Sequence, residues 1–153
     1  MSDAYTPEAI LAKLDTPEEC EQFAINVVAK YPEAALRAKR RAVELRAHEH
    51  NAENEIEREA LEVIYAYETV LTERNHRKTG ATRTWQMIKK YGFISAIERA
   101  VDREVDAPGY KALAELGMKD LTFESLVVRH SKMFSNEAVT RCQKRLEVLG
   151  MAQ

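Results

Sequence analysis

The residues of this chain best suited to bind a ligand lie in a short basic stretch between positions 74 and 90. Arginine and lysine side chains alternate there with Asn75 and with threonine hydroxyls. These are the donors that contact phosphate oxygens in nucleic-acid complexes. A helix beginning near Thr82 or Thr84 adds unpaired backbone N–H groups and the positive end of a helix dipole. The predicted nucleic-acid-binding residues are Arg74, Arg77, Lys78, Thr82, Arg83, Lys89 and Lys90.

The charge of the chain is segregated along its length. Residues 1–73 hold 16 acidic and 8 basic side chains, residues 74–103 hold 2 acidic and 8 basic ones, and residues 104–153 hold seven of each. The formal net charge of −2 therefore hides an acidic first half and a basic middle. Two interpretations stay open: the basic stretch binds nucleic acid, DNA or RNA, or it is a solvated loop neutralised by the protein's own acidic half.

Residues 83–103 have the order helix, glycine turn, capped helix, which is also the order of a helix-turn-helix. The second helix carries Glu98 and Asp102 beside Arg99 and Arg103. Carboxylates are poorly suited to a groove lined by phosphates. We therefore expect the second helix to pack inside the protein.

Sequence signatures of enzymes are missing. The glycines are scattered singly, and neither a phosphate-binding glycine loop nor a nucleophile elbow nor a C-x-x-C pair occurs. His48 and His50 are two apart, so on a helix they point in different directions. Glu73 and His76 form a single Glu-x-x-His pair, whereas di-iron bundles need two. We expect a non-enzymatic protein with no catalytic residues, no metal site and no cofactor.

Helix signals dominate the rest of the chain. Thr6 and Thr16 each precede Pro-Glu, and Glu19 completes a capping box with Thr16. Further helix starts are predicted at Pro32, at a Ser95–Glu98 capping box and at Ser135, and helix ends at Gly92, Gly117 and Gly150. No alternating strand pattern is bounded by hairpin turns. The sequence predicts an all-α fold.

The stretch from Pro32 to Arg77 holds no glycine and no further proline. An apolar stripe with near-heptad spacing runs along it. Its members are Ala35, Ala38, Ala42, Leu45, Ala52, Ile56, Val63, Tyr67 and Val70. One interpretation is a single long helix that pairs with a second copy or another protein through this seam. The other is a helical hairpin broken between His48 and Asn54, because either Asn51 or Asn54 can start a new helix.

Length and composition bound the remaining expectations. At 153 residues the chain suits a single helical domain: two short helices in 1–31, the long helix or hairpin in 32–77, and a compact cluster of four short helices in 82–149. The sequence has no run of about 18 apolar residues, so we expect no membrane-spanning segment. Met1–Ala4 has neither a basic nor an apolar region, so we expect no signal peptide. We expect Cys20 and Cys142 to be reduced thiols. We also expect the protein to be cytoplasmic. The sequence leaves open whether the partner is nucleic acid, a second copy of this chain or a different protein.

The apolar residues of the 82–149 cluster predict its core. They are Trp85, Ile88, Phe93, Ile97, Leu113, Phe123, Leu126 and Leu146.

We expect Trp85→Ala to lower the free energy of unfolding by about 3–5 kcal/mol, the range found for large aromatic truncations. Chemical denaturation of the wild type and the variant measures the difference. A loss below about 1 kcal/mol would place this indole outside the packed interior.

Overall fold

The computed structural model describes residues 6–103 and 106–151, and every regular element within these ranges is helical. The all-α prediction is therefore confirmed. The chain divides into two compact units, residues 1–51 and 52–153. The single-domain organisation expected from the length stays a prediction. Residues 1–4, on which the expected absence of a leader rests, lie outside the described ranges.

Three helices build the described part of the first unit: α1 (Pro7–Leu11), α2 (Pro17–Val27) and α3 (Pro32–His48). The predicted caps begin the first two. The Thr6 hydroxyl accepts a hydrogen bond from the Ala9 N–H, and Thr16 and Glu19 form the expected capping box. A proline occupies the first turn of each helix, where its missing N–H removes no helical hydrogen bond.

Small side chains line the core of the first unit, chiefly where α2 packs against α3. Its buried members are Leu11, Phe23, Ala24, Ala34, Ala35 and Ala38. Alanines at the contact let two helix backbones approach closely. Arg46 adds ion pairs from α3 to Glu21 at 2.8 Å and to Glu18 at 3.5 Å on α2.

The predicted break in the 32–77 stretch is confirmed, and the single long helix is wrong. α3 ends at His48, Asn51 has a left-handed φ of 52°, and α4 begins at Glu55. The Asn54 side chain caps α4 by accepting a hydrogen bond from the Glu57 N–H at 2.9 Å. An asparagine tolerates the left-handed region and also caps well, so the two asparagines together make this break.

The second unit contains α4 (Glu55–Asn75), α5 (Thr82–Tyr91), α6 (Phe93–Val101), α7 (Ala107–Glu115), α8 (Phe123–Arg129) and α9 (Asn136–Met151). A short 3-10 helix, Ser131–Met133, precedes α9. The described part of 82–151 thus has five α-helices, and the expected count of four is wrong. Asp106 and Thr122 each cap a helix start, and Gly117 at φ 73° turns the chain between α7 and α8.

The core of the second unit lies where α4, α6, α8 and α9 meet. Its buried members are Ala60, Val63, Ile97, Val101, Leu126, Val127, Phe134, Ala138 and Cys142. Of the predicted core, Ile97, Leu113 and Leu126 are buried, whereas Trp85, Ile88, Phe93, Phe123 and Leu146 are only half-buried. The predicted core lacks α4, because the sequence pattern assigns the apolar residues of this helix to the long seam.

One predicted helix start and one predicted helix end in this unit are wrong, and one cap is confirmed. α6 begins at Phe93, so Ser95 lies inside the helix, and Gly150 lies inside α9. Glu98 makes a tertiary contact instead: its carboxylate accepts the Ser135 backbone N–H at 2.9 Å and the Ser135 hydroxyl at 3.1 Å. The Ser135 hydroxyl in turn accepts the Ala138 N–H, so Ser135 caps α9 as predicted.

Both cysteines are free thiols and both are fully buried, Cys20 in the first unit and Cys142 in the second. Burial raises the pKa of the Cys142 thiol to about 11, and the nearby Glu124 carboxylate adds to the effect. Burial also raises the pKa of Cys20. Both thiols are therefore protonated near neutral pH. No described helix is long and apolar enough to cross a membrane.

We expect the stability of the second unit to fall as the pH rises from about 8.5, the ordinary thiol pKa, towards 11, the folded value for Cys142. In this window the unfolded thiol has lost its proton and the folded thiol keeps it, so proton release favours unfolding. Urea denaturation at a series of pH values should show a shallower alkaline loss for Cys142→Ala. The control Val139→Ala truncates a residue packed on the same core and removes no titrating group. Equal slopes in Cys142→Ala and wild type would contradict this account.

Candidate functional site

The loop between α4 and α5 is tied to the last turns of α4. His76 ends α4 in the left-handed conformation, φ 56°, and its N–H donates to the Thr72 carbonyl. The Thr72 hydroxyl accepts the Thr79 N–H at 3.0 Å, and the Asn75 amide donates to the Thr79 hydroxyl at 3.2 Å. These side chains of the last turn of α4 therefore hold Thr79 in place. The loop is therefore held by specific contacts along its length.

Glu68, two turns before the end of α4, fixes the start of α5. Its Oε2 accepts the Ala81 backbone N–H at 2.8 Å and the Trp85 indole N–H at 2.7 Å. The Trp85 ring also packs on Tyr65, with 5.5 Å between the ring centroids. Hydrogen bonds to a charged acceptor are stronger than neutral ones. The half-buried carboxylate thus holds both the loop and the inner side of α5 against α4.

Helix α5 is divided into an inner and an outer side. Thr84, Trp85, Met87 and Ile88 are half-buried. The exposed residues Thr82, Arg83, Gln86, Lys89 and Lys90 fall within an arc of roughly 120°, at about 100° per residue. Because Trp85 holds the inner side of α5 against α4, the cations on the outer side all face solvent.

All seven predicted nucleic-acid-binding residues are exposed, and we call them the basic surface: Arg74, Arg77, Lys78, Thr82, Arg83, Lys89 and Lys90. Across the described ranges, none of its six cations forms an ion pair with a carboxylate. Lys90 instead lies over the Tyr91 ring, its Nζ 5.2 Å from the centroid.

Arginines elsewhere in the protein behave differently. Arg58, Arg129 and Arg141, for example, pair with Glu62, Glu59 and Asp102. The interpretation in which the basic stretch is neutralised within the chain therefore has no supporting ion pair in the described structure.

Most of the acidic charge in residues 52–73 lies at the N-terminal end of α4, away from the basic surface. Residues 52–73 hold seven carboxylates and one cation, and five of those carboxylates fall between 53 and 62. At 1.5 Å per residue, Arg74 is about 18 Å along the helix from Glu62, about twice the Debye length at physiological salt. Acidic residues at the N-terminus and Arg74 at the C-terminus also suit the helix dipole. The acidic end therefore screens the basic surface little.

Helix α6 packs inside the second unit, as the sequence predicts for the second helix of the 83–103 segment. A single residue, Gly92 at φ 82°, joins it to α5. Ala96, Ile97 and Val101 are buried, while Asp102 pairs with Arg141 at 2.8 Å. These contacts place one side of α6 in the core, and Arg99 stays exposed on another side of the helix.

The residues of the predicted interaction seam lie in two different units, on α3 and α4 except for Ala52, which is in the loop before α4. Ala35, Ala38 and Ala42 are buried on α3, and Val63 and Val70 are buried on α4. The other members, half-buried, are Leu45, Ala52, Ile56 and Tyr67. Each half of the stripe thus serves the interior of its own unit. The homodimer and the protein partner predicted through this seam stay predictions.

A mostly apolar cavity of about 300 Å³ in the second unit was not predicted from the sequence. Its lining comes from several helices and includes Tyr67, Met87, Tyr110 and Phe123. The Arg103 guanidinium contacts the Met87 sulfur at 3.8 Å at this cavity. Because Met87 and Thr84 belong to the half-buried side of α5, the cavity is separate from the basic surface.

Comparisons with protein-family models, with curated proteins and with solved structures found no match. Within the described ranges, no group of three or more His, Cys, Asp or Glu side chains is placed to hold a metal ion.

We expect Glu68→Ala to leave the Trp85 indole N–H and the Ala81 N–H without their acceptor, at a cost of about 1–3 kcal/mol. Hydrogen exchange of the amides in 79–82 should accelerate relative to those in the middle of α9. The control Glu147→Ala removes an exposed carboxylate from α9 and should leave the loop amides unchanged. Unaltered exchange at 79–82 in Glu68→Ala would show that the loop is held by other contacts.

Proposed function

We propose that this is a small, non-enzymatic nucleic-acid-binding protein, a regulatory or accessory factor that contacts the phosphate backbone through its basic surface. One observation carries the proposal: six exposed cations lie at the end of α4, in the loop that follows it and on one side of α5. None of them is paired with a carboxylate in the described structure. A solvent-exposed cluster of unpaired cations attracts polyanions.

The arrangement supports phosphate contacts better than contacts to base edges. Arg74, Arg77 and Lys78 come from the end of α4 and the loop, while Arg83, Lys89 and Lys90 come from α5. Thr82 and Gln86 add neutral donors on the same side of α5. Guanidinium, ammonium and hydroxyl groups bind phosphate oxygens and position a protein on nucleic acid without reading its sequence. Hydrogen bonds accepted by Glu68 and Thr72 and donated by Asn75 hold this surface, so less loop ordering is required on binding.

Each phosphate contact releases condensed counterions, so affinity should fall steeply with salt. If all six cations engage, the logarithm of the association constant should fall with the logarithm of salt concentration with a slope of about −4 to −5. Fluorescence anisotropy with labelled single- and double-stranded oligonucleotides, from about 50 to 200 mM salt, measures this slope.

The variant Arg77→Ala/Lys78→Ala/Arg83→Ala should weaken binding and flatten the slope by about 2 to 3 units. The matched control, Lys111→Ala/Lys132→Ala/Lys144→Ala, removes three exposed cations from the same unit and changes the net charge equally. It should bind nearly as the wild type does. Equal losses in the two variants would assign the effect to net charge, and no binding by the wild type at low salt would refute the proposal.

A further inference from the structure

An exposed aromatic ring lies at the end of the basic surface. Tyr91, the last residue of α5, is 37% exposed, whereas the other described aromatic residues of the second unit are half-buried or buried. The Arg99 guanidinium lies over the Tyr91 ring, with its Cζ 3.8 Å from the centroid. Lys90 approaches the same ring at 5.2 Å. Tyr91, Arg99 and Lys90 therefore form an exposed cluster of one π surface and two cations.

The backbone at Gly92 creates this cluster. Its φ of 82° turns the chain between α5 and α6, and α6 then carries Arg99 back over Tyr91. Both Tyr91 and Arg99 are exposed, and Arg99 has no carboxylate partner in the described ranges. A guanidinium stacked on tyrosine extends the flat surface that a further planar group can join.

The cluster continues the line of cations along α5. Arg83 and Lys90 are seven residues apart, so they lie on the same side of the helix, about 10 Å apart along its axis. A strand whose phosphates follow Arg83 and Lys90 reaches Tyr91 and Arg99 next. Trp85 is unsuited to this role, because its indole is held against α4 by Glu68.

Resting on the proposed function, we infer that Tyr91 and Arg99 stack on an unpaired base, and that the preferred ligand is single-stranded nucleic acid. Every base has a π face, so stacking needs no particular sequence. Bases in a duplex are already stacked on one another, whereas a single strand can turn a base out onto an aromatic ring or a guanidinium plane. The cations bind the backbone of either form, and the ring distinguishes them.

The test compares three labelled probes with the full-length protein: oligothymidylate of about 12 nucleotides, an abasic oligomer of the same length, and a duplex. The first two carry the same phosphates and differ only in their bases. Tyr91→Ala should weaken oligothymidylate binding by about tenfold and leave abasic and duplex binding unchanged. Its salt slope should equal that of the wild type, because no charge is removed.

Two further variants separate stacking from fold. Tyr91→Phe keeps the ring and should bind oligothymidylate as the wild type does. Tyr91→Leu keeps apolar volume at the end of α5 but has no ring, so it should behave as Tyr91→Ala does. The matched control Tyr31→Ala removes a tyrosine that is 41% exposed and also lies beside a lysine, with Lys30 Nζ 5.5 Å from its ring. It should leave all three affinities unchanged.

The outcomes are distinguishable. Equal binding of the abasic oligomer and oligothymidylate by the wild type would overturn stacking, while the salt slope of the basic surface would still support the proposed function. Equal losses for all three probes in Tyr91→Ala would likewise assign the ring a structural role. If no probe binds at low salt, the proposed function and the stacking inference fail together.

Discussion

The Glu68 carboxylate is the contact on which the exposed side of the second unit depends. By accepting N–H groups from both Ala81 and Trp85, it sets where α5 begins and which side of α5 faces α4. A rotation of α5 by half a turn would bury Arg83 and Lys90 and expose Trp85. In that rotated arrangement the indole N–H would lose its hydrogen bond. Leaving a partly buried donor unpaired costs more free energy than a typical hydrogen bond contributes. One carboxylate thus orients cations that it does not contact.

Ion pairing divides the arginines of this protein into two groups. The arginines that join two elements have partners. Arg46 on α3 forms an ion pair with α2, and Arg145 donates a hydrogen bond to the Val101 carbonyl at the end of α6. Those of the basic surface have no such partner in the described residues. Exposed pairs contribute little to stability, so leaving these cations unpaired costs the fold almost nothing. Unpaired cations keep their full field for a ligand.

The two units also differ in how their helices come together. In the first, alanines let α2 and α3 approach closely. In the second, larger residues such as Ile97, Leu126 and Phe134 fill the space among four helices, and Glu98 joins α6 to the start of α9. The buried Cys142 is a part of that core, and its raised pKa is a consequence of the same exclusion of water.

The sequence by itself determined the features that depend on neighbours within about four residues. The caps at Thr6, Thr16 and Ser135 follow from local hydrogen bonds, Asn51 and Asn54 permit a break, and helical periodicity puts the cations of α5 on one side of that helix. The all-α class is the sum of such local preferences.

Tertiary structure alone decided which helix meets which. Glu98 fits a local capping box with Ser95 but binds Ser135, 37 residues away, and the apolar stripe of 32–77 fits one seam but serves two interiors. The contacts of Glu68 with Trp85 and of Arg99 with Tyr91 are equally invisible in the spacing. A periodic pattern states which side of a helix is apolar and says nothing of what covers it, because burial is non-directional. Contacts between residues far apart in the sequence make that choice here.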